Sequence, residues 1–471
     1  MAPVAAPHVL VFPFPATSHI TSLLELSHRL LERGLKITFL NTEFNQRRLL
    51  DTMPVEQAAA ATAMRMADGI RLAVIPDGLT PDEDRNDLGR LIVGMMKVMP
   101  GFMEEFLIRN AGSEAADDEE RFTCVIADIC MGWALEVAEK AGLRSVAFFP
   151  AAAAVLAGVL SIPKFIEDDI IDMEGVPKSH EMFQLSPEMP PMDPTELCWN
   201  CFNDTKTNKI FFNYFCMNNR AIPIAELILC NTFHELERSV FSYAPNILPI
   251  GPLLIGSRPD KTFGNFWVPE TQCIEWLDKQ QNNSVVYVAF GSFTVFNTHQ
   301  FLELALALEL TGRPFLWVVR PDLTNVNDEQ EVNLSRIVEK MGERGRIVSW
   351  CPQPQVLAHP SIACFVSHCG WNSTLEGLRN GVPILCWPYF ADQIFNQTYI
   401  CDVWRVGLRI TADENNVYTN EQIRSKLEEL MNDEKMKVRA LTLKEMACKS
   451  LEKGGSSFNN FNKFIDTMKN V

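Results

Sequence analysis

The sequence predicts an α/β protein made of two domains, with parallel, doubly wound sheet structure. Three observations lead to this prediction. The chain has 471 residues, more than one ordinary hydrophobic core uses. Short apolar runs rich in β-branched residues alternate with longer helical patterns, as in β-α-β units. The alternation ends near the middle of the chain and then begins again, which indicates two domains.

The first half contains four short apolar runs that we predict to be strands. They are residues 8–12, 36–41, 122–128 and 145–149. Helical patterns over about 22–33 and 132–140 separate them in pairs. Gly34 and Gly142 follow these patterns at the position where a helix C-cap is expected. Strand, helix and strand in this order predict parallel pairing in a doubly wound sheet.

The second half repeats the pattern with five predicted strands. They are residues 284–290, 314–320, 346–349, 362–367 and 382–387. We therefore predict an N-terminal domain over 1–252 and a second domain over 270–455. Residues 253–269 have turn residues and no periodicity, as a linker does. Residues 160–218 are irregular and rich in Met and Phe, and two interpretations stay open: a mobile wall over a cleft, or side chains that fill the first core.

Composition limits the partners and the compartment. The formal net charge is −17, so the surface repels nucleic acid and anionic membranes. A phosphorylated ligand then needs local donors such as a helix N-terminus. The 13 cysteines lack a framework spacing, and no run of 18 apolar residues occurs. Because the pair Cys198 and Cys201 has no companion pair, we assign it no redox or zinc role. We expect a cytoplasmic monomer without a transmembrane segment.

Residues 350–393 carry the strongest chemical signal. The predicted strand 362–367 runs into His368, a glycine-containing turn, and a helix that opens at Asn372 or Ser373. Such a junction directs backbone N–H groups and the positive end of a helix at one spot, and the side chains add donors, as a diphosphate requires. An ordinary capping box from Ser373 to Glu376 is the alternative. It leaves His368 and its neighbours in the turn unexplained.

Further polar and aromatic side chains suit the other parts of a nucleotide sugar. A carboxylate such as Glu376 accepts hydrogen bonds from both hydroxyls of a ribose. Trp350 offers a flat face to a base, and such stacking is worth roughly 1–3 kcal/mol. Asp392 and Gln393 follow an apolar strand and suit sugar hydroxyls. The Gly-Ser turn that ends at Ser292 lets backbone approach a phosphate closely.

His19 and Asp128 are the candidate catalytic pair. Each follows or ends a predicted strand of the first domain, so both belong at the carboxyl edge of its parallel sheet. A carboxylate bound to one imidazole nitrogen fixes the tautomer and stabilises the imidazolium. This arrangement suits general-base activation of a hydroxyl, which contributes roughly 10²–10⁴ in rate.

Residues 350–393 resemble the signature box of plant secondary-product glycosyltransferases, in family 1 of the nucleotide-sugar-dependent enzymes. The resemblance extends over essentially the whole chain, including residues 76–78 and the Gly251-Pro252 boundary. It implies the GT-B architecture, with two Rossmann-like domains facing a cleft and residues 456–471 packing back on the first. It also implies inverting, metal-independent transfer of glucose from UDP-glucose to a hydroxyl of a small lipophilic acceptor, such as a flavonoid, another phenolic, a terpenoid or a steroid.

The resemblance also assigns roles to single residues. By this resemblance uracil is bound by Trp350, Cys351 and Gln353, and ribose by Glu376. The diphosphate is bound by Ser292, His368, Trp371, Asn372 and Ser373, and the sugar by Trp371, Asp392 and Gln393. The catalytic pair is His19 and Asp128. An acceptor pocket is expected near Phe14, Met131, Phe148, Trp199 and Phe390. Gln393, with Trp371 in place of an Arg, is similar to glucose-using members. One departure is that Ser18 precedes the histidine, where the family has Gly, and Thr21-Ser22 replaces Asn-Pro.

Rival functions lack their motifs. No G-x-G-x-x-G follows the first predicted strand, which argues against a dehydrogenase. No G-x-S-x-G is present, which argues against an α/β-hydrolase. The D-x-D spelling at residues 82–84 lies in a charged, proline-flanked loop and is interpreted as solvated surface. A UDP-sugar-binding protein that has lost catalysis is the remaining alternative, and the loss of His19 or Asp128 would have favoured it.

Overall fold

The structure is a computed structural model. It describes residues 6–51, 69–112, 121–202, 204–254, 270–292, 294, 297–320, 342–414 and 417–469. The chain forms two compact units. The first contains Met1–Phe266 and Lys449–Val471, and the second contains Trp267–Cys448. Most of the predicted linker, residues 255–269, lies outside the described residues.

The first unit is organised around a seven-stranded sheet in which every pairing is parallel. Its strands are β1 His8–Phe12, β2 Lys36–Thr42, β3 Arg71–Ile75, β4 Cys124–Asp128, β5 Arg144–Phe149, β6 Leu227–Cys230 and β7 Ile247–Pro249. Their order across the sheet is β3-β2-β1-β4-β5-β6-β7. All positions of β1 and β4 are buried, as in strands covered on both faces.

Nine helices of the described residues belong to this unit. They are α1 Thr17–Glu32, α2 Glu43–Asp51, α3 Leu88–Gly112, α4 Trp133–Lys140, α5 Ala153–Leu160, α6 Ile162–Glu167, α7 Thr205–Ala221, α8 Arg238–Tyr243 and, from the C-terminal part of the chain, α16 Ser456–Lys469. The α16 helix is joined to the unit by hydrogen bonds. Arg33 Nη1 donates to Asn462 Oδ1 at 2.6 Å, and Asn460 Nδ2 donates to the Pro249 carbonyl at 2.8 Å.

Two sequence expectations for the first unit need correction. The α1 helix begins at Thr17 rather than near Ser22. Ser22 lies inside the helix and does not cap it, since its hydroxyl donates to the Ser18 carbonyl at 3.0 Å. Residues 160–218 are less irregular than expected, since α6 and most of α7 lie there. Phe165, Trp199 and Phe212 are among the largest fully buried side chains. Their burial favours the interpretation that this segment fills the first core.

The second unit has a six-stranded parallel sheet. Its strands are β8 Val285–Ala289, β9 Phe315–Val318, β10 Gly345–Val348, β11 Ile362–Ser367, β12 Ile384–Cys386 and β13 Gly407–Arg409, in the spatial order β10-β9-β8-β11-β12-β13. Its described helices are α9 Gln272–Leu277, α10 Thr298–Leu310, α11 Gln353–Ala358, α12 Trp371–Asn380, α13 Gln393–Thr398, α14 Asn420–Asn432 and α15 Glu434–Leu451, the last of which ends in the first unit. Within the described ranges, no helix combines the length and the apolar character needed to cross a bilayer.

The sheet topologies explain where function can gather. In both units the chain first adds strands on one side of its first strand and then on the other side. The reversal falls between β1 and β4 in the first unit and between β8 and β11 in the second. In open α/β sheets ligands bind beyond the carboxyl ends of the strands at such a point. The turns that follow β1, β4, β8 and β11 are therefore the places to look for a site.

Candidate active site

His19 and Asp128 form a hydrogen-bonded pair in the first unit. Nδ1 of His19 lies 2.6 Å from Oδ2 of Asp128. The Asp128 side chain is fully buried, whereas the His19 side chain is 21% exposed. A carboxylate that accepts at Nδ1 fixes the imidazole proton there and leaves Nε2 as the basic nitrogen. The two residues therefore have the geometry of an oriented general base.

The neighbouring strands explain why this pair forms. β1 pairs with β4 in parallel, with Phe12 opposite Ala127, so the carboxyl ends of the two strands lie side by side. Asp128 is the last residue of β4, and its Oδ1 accepts from the Cys130 N–H at 2.9 Å. The chain after β1 turns into α1, whose first turn contains His19. The Phe14 N–H approaches Asp128 Oδ2 at 3.4 Å and ties the two turns together.

The α7 helix holds the turn that follows Asp128, a feature the sequence did not reveal. The Tyr214 hydroxyl donates to the Cys130 carbonyl. Asn218 Nδ2 donates to the same carbonyl at 3.3 Å, and its Oδ1 accepts from the Trp133 N–H at 3.4 Å. Both residues lie within a helix that looks unremarkable in the sequence, so no local pattern points to them.

The residues expected near an acceptor pocket differ in exposure. The Phe14 ring lies 5.3 Å from the His19 imidazole, centroid to centroid, so it borders the pair. Met131, Phe148 and Trp199 are at most 1% exposed, and the Trp199 indole N–H donates to the Gly175 carbonyl at 3.0 Å. These three side chains are packed into the first core. Phe390 is half-buried in the second unit, where its ring packs against Tyr389.

In the second unit, the chain turns sharply between β11 and α12. Cys369 has a φ of 64°, and its N–H donates to Ser367 Oγ at 3.1 Å. α12 begins at Trp371 with Gly370 at its N-cap, so it opens earlier than expected, and no side chain caps it. The alternative of a capping box beginning at Ser373 is therefore wrong. An α-helix leaves the N–H groups of its first turn without an intrahelical acceptor, and the first turn of α12 follows the end of β11 closely.

His368 is enclosed by two glycines from neighbouring turns. A Cβ atom on Gly291 would lie 2.5 Å from His368 Nε2, and a Cβ on Gly370 would lie 2.4 Å from the same atom. Gly291 also has a φ of 68°, which favours glycine. Ser367 and Ala289 are register partners on β11 and β8, so the two turns are brought together by the sheet. Ser292 follows directly and is half-buried.

The imidazole of His368 is held in its neutral form. Burial lowers its pKa to about 4, and the positive charge of Arg320 acts in the same direction. A hydrogen bond with the Ala289 backbone opposes this lowering, while Nδ1 lacks a hydrogen-bond partner among the described residues. A neutral imidazole carries one N–H, so His368 brings no charge of its own to this turn.

A second polar group connects α11 to α12. Gln353 Nε2 donates to Glu376 Oε2 at 2.6 Å and to Ser373 Oγ at 2.9 Å. Its Oε1 accepts from the Tyr287 hydroxyl at 2.9 Å, and that hydroxyl lies 3.3 Å from Cys351 Sγ. The fully buried Tyr287 is a second residue that sequence reasoning missed, because it lies inside an apolar strand.

The Glu376 carboxyl titrates near neutrality. Removal from water raises its pKa to about 7, and the hydrogen bond from Gln353 opposes this rise. Hydroxyl donors that reached this carboxyl would favour its ionised form. Burial also raises the pKa of Cys351, so its thiol stays protonated and unreactive.

The remaining predicted residues lie beyond the ends of β10 and β12. Trp350 is half-buried, and its carbonyl accepts from the Glu270 N–H at 2.9 Å. Gln393 Oε1 accepts from the Tyr389 N–H at 2.8 Å, so this side chain organises the preceding loop. Asp392 Oδ2 accepts from Asn396 Nδ2 at 2.8 Å.

The Asn396 amide joins the loop that contains Asp392 to the turn after β11. Asn396 Nδ2 also donates to the Cys369 carbonyl, at 2.9 Å. Trp371 is buried and packs against Trp404, whereas Asn372 is half-buried. Residues of the segment 350–393 thus follow the carboxyl ends of β10, β11 and β12 in the second unit.

The chain is similar to known proteins in sequence and in fold. Residues 269–449 match the family described as UDP-glucoronosyl and UDP-glucosyl transferase. UDP-glycosyltransferase 83A1 of Arabidopsis thaliana is 41% identical over 468 residues, which cover 98% of this chain and 97% of the relative. The (R)-mandelonitrile beta-glucosyltransferase of Prunus dulcis is 35% identical, over 97% of both chains.

Solved structures agree with these sequence relatives. The UDP-glucosyltransferase of Polygonum tinctorium, described as capable of glucosylating indoxyl and solved with 3,4-dichloroaniline, superimposes with a TM-score of 0.81 at 26% identity. The match covers 99% of this chain and 100% of that one. The 41% identity to a plant enzyme over 98% of this chain, together with two parallel-sheet units of the GT-B fold, shows that the chain belongs to the plant UDP-glycosyltransferase family.

Proposed function

We propose that the protein transfers glucose from UDP-glucose to a hydroxyl of a small lipophilic acceptor and inverts the anomeric configuration, so that the product is a β-glucoside. The observation that carries this proposal is the 2.6 Å contact between His19 Nδ1 and the buried Asp128. A protein that only bound UDP-sugars would have no use for an imidazole oriented in this way.

His19 acts as the general base. With Nδ1 bound to Asp128, Nε2 takes the proton of the acceptor hydroxyl as its oxygen attacks the anomeric carbon. Asp128 orients the ring and stabilises the imidazolium that forms. A single displacement from the face opposite UDP accounts for the inversion. The Phe14 ring beside His19 supplies an apolar surface for the acceptor.

The second unit binds the donor and stabilises the leaving group. We assign uracil to Trp350, Cys351 and Gln353, ribose to Glu376, the diphosphate to Ser292, His368, Trp371, Asn372 and Ser373, and glucose to Trp371, Asp392 and Gln393. Negative charge that develops on the departing UDP meets the N-terminus of α12 and neutral donors such as His368. Hydrogen bonds to a charged group are worth about 1.5–3 kcal/mol each. With this stabilisation supplied by the protein, we propose that transfer requires no metal.

The apolar surface beside His19 and the names of two relatives support a proposal for the acceptor class. The almond enzyme is named for mandelonitrile and the Polygonum enzyme for indoxyl, and both compounds are small, largely apolar alcohols or phenols. We propose acceptors of this kind, a phenolic or a terpenoid alcohol. The buried Met131, Phe148 and Trp199 are left out of the proposed pocket, because side chains with no exposed surface cannot contact a ligand without rearrangement.

The decisive experiment measures UDP release with a panel of acceptors, followed by mass spectrometry and NMR of the product. We expect a glucoside whose anomeric proton shows the large coupling of the β form. Asp128→Asn should lower kcat by about 10²–10⁴, the contribution of general-base catalysis, and His19→Ala should do at least the same. Both variants should keep the UDP affinity of the native protein in calorimetry.

Three outcomes would contradict parts of the proposal. Loss of UDP affinity in His19→Ala would mean that His19 belongs to donor binding. An α-glucoside would exclude a single displacement. UDP binding without release of product for any acceptor would favour a catalytically inactive UDP-sugar-binding protein.

A further inference from the structure

We propose that His19, Asp128 and Cys130 form a binding site for a divalent cation of the Zn²⁺ type, and that an ion bound there switches the transferase off. The proposed regulation rests on the role of His19 as the general base. The cation-binding site itself rests on the geometry of three side chains and is tested separately.

The three side chains converge at the carboxyl edge of the first sheet. One ligand atom from each of His19, Asp128 and Cys130 lies within 4.8 Å of the other two. Among the described residues, this is the single group of three or more His, Cys, Asp or Glu side chains with such spacing. Asp128 is buried, whereas His19 and Cys130 are half-buried, so an ion can reach the group from solvent. Cys130 takes part in no disulfide.

The backbone holds two of the three ligands in place. The Cys130 N–H donates to Asp128 Oδ1 at 2.9 Å, which leaves Oδ2 directed at His19. The Cys130 carbonyl accepts from Tyr214 and from Asn218, so the turn that carries the thiol is anchored to α7. A site held in this way loses little conformational entropy when an ion binds.

The donor set selects the class of cation. One imidazole nitrogen, one carboxylate oxygen and one thiolate sulfur suit Zn²⁺, and Cd²⁺ or Co²⁺ as its spectroscopic substitutes. Mg²⁺ and Ca²⁺ prefer oxygen ligands and should bind poorly. Two ligand atoms on one tetrahedral Zn²⁺ lie about 3.4 Å apart, so Nδ1 and Oδ2 must separate from 2.6 Å. The partly exposed His19 ring has room for this small movement.

Ion binding and base catalysis exclude each other for a simple reason of protonation. The nitrogen that faces Asp128 is Nδ1, so a cation shared with Asp128 binds Nδ1 in place of its proton. The neutral imidazole then carries its one proton on Nε2, and this nitrogen can no longer accept the proton of an acceptor hydroxyl. The Cys130 thiol loses its proton to solvent, so binding releases about one proton.

The test titrates metal-free protein with Zn²⁺ alone and measures binding by calorimetry in two buffers of different ionisation enthalpy. A second titration, with Cd²⁺, measures the ultraviolet absorption of a new thiolate–metal bond. Cys130→Ser removes the sulfur ligand and keeps the backbone N–H that binds Asp128. We expect it to weaken Zn²⁺ at least about 10-fold, the smallest loss typical of a disturbed metal shell, and to abolish the Cd²⁺ band. The matched control is the double variant Cys198→Ser/Cys201→Ser, which removes the C-x-x-C pair of the same unit and should bind like the native protein.

Activity provides the second half of the test. Stoichiometric Zn²⁺ should abolish glucosyl transfer by the native protein and by the control variant, a chelator should restore it, and Mg²⁺ should have no effect. Cys130→Ser should need at least about 10-fold more Zn²⁺ for the same inhibition. Circular dichroism and thermal unfolding show whether each variant is folded.

The outcomes separate this inference from the proposed function. Native-like Zn²⁺ affinity in folded Cys130→Ser, or loss of the Cd²⁺ band in the Cys198/Cys201 variant, would overturn the site while leaving the transferase intact. Tight binding that leaves transfer unaffected would overturn the regulation. Tight, Cys130-dependent binding in a protein without transferase activity would support the site and refute the proposed function.

Discussion

The Nε2 atom of Gln353 lies 2.6 Å from Oε2 of Glu376, across the gap between α11 and α12. The contact is made by a side chain that is already fixed, since the Tyr287 hydroxyl donates to the other end of the same amide. The Glu376 carboxyl therefore has one neutral donor before any ligand binds. Burial nevertheless raises its pKa to about 7, against the effect of this hydrogen bond. With ribose assigned to Glu376, we expect this pair to make donor binding sensitive to pH and to the orientation of one amide.

Donor affinity should rise with pH through neutrality. In the proposed complex two ribose hydroxyls donate to the ionised form of Glu376, so binding favours the carboxylate. Below the pKa of about 7, part of the affinity is used to remove a proton. The Kd for UDP-glucose should fall by up to about tenfold between about pH 6 and about pH 8, with a plateau above the pKa. Calorimetry with UDP-glucose measures this, because its diphosphate does not titrate in that range.

Glu376→Gln is the matched variant, since its side chain keeps the size and can still bind Gln353. It should bind UDP-glucose more weakly than the native protein and with no dependence on pH. A variant that keeps the native pH profile would assign the titration to another group. A variant with native affinity and lower thermal stability alone would show that Glu376 has a structural role only.

Tyr287→Phe should weaken the binding of UDP-glucose without slowing the chemical step. The hydroxyl fixes Gln353 so that its NH₂ group faces Glu376 and Ser373, and without it the amide is free to rotate. The loss of one buried hydrogen bond, about 0.5–1.5 kcal/mol, should raise the KM for UDP-glucose about 2- to 10-fold and leave kcat nearly unchanged. Steady-state kinetics at saturating acceptor give both constants.

The control for that variant is Tyr243→Phe. Tyr243 shares a 2.9 Å hydrogen bond with Ser161 in the first unit, so its removal should cost similar stability without changing the KM for the donor. A drop in kcat for Tyr287→Phe at unchanged KM would contradict the positioning of Gln353 by this hydroxyl.

The contrast between predicted and observed elements has a physical cause. Residues 8–12 and 362–367 were predicted with the bounds that the structure has, because each is an apolar run with one polar residue at an end and is buried along its whole length. Four strands were not predicted: β3, β6, β7 and β13. β13 spans only Gly407–Arg409, which is too short for a period of two to be recognised.

The candidate site shows the same division. The parallel order of strands was enough to bring His19 toward Asp128, since residues that follow adjacent parallel strands meet at one edge. Tyr287 and Asn218 have no local signature, because their partners, at Gln353 and Cys130, are 66 and 88 residues away in the chain. At Ser373 a local pattern offered a capping box as an alternative, whereas the N-cap of α12 is Gly370.

Gly370→Ala should disturb the donor site through His368 alone. Gly370 has φ −60° and ψ 143°, a conformation open to alanine, so the backbone is not strained. The new Cβ would lie 2.4 Å from His368 Nε2 and must displace the imidazole. Loss of one hydrogen bond to a charged diphosphate, about 1.5–3 kcal/mol, should weaken UDP roughly 10- to 150-fold in calorimetry.

Gly158→Ala is the control for this change. Gly158 lies in α5, and a Cβ there would meet no atom within 4 Å. The substitution should leave UDP affinity unchanged and stabilise the helix by about 0.5–1 kcal/mol. If Gly370→Ala bound UDP as the native protein does, His368 would have no part in holding the diphosphate.

Gln393→Glu should separate the two tasks of this side chain. In the structure Gln393 Oε1 accepts from the N–H groups of Tyr389 and Phe390, so the oxygen organises the loop and the NH₂ group remains for a sugar hydroxyl. Glutamate keeps an accepting oxygen and loses the NH₂ donor. We expect kcat/KM for UDP-glucose to fall about 2- to 10-fold, the value of one hydrogen bond, with unchanged affinity for UDP, which lacks the sugar.

Gln393→Ala removes both groups and should also weaken UDP binding, since the loop loses its anchor. If Gln393→Glu kept native kcat/KM while Gln393→Ala lost it, Gln393 would shape the loop without reading the sugar.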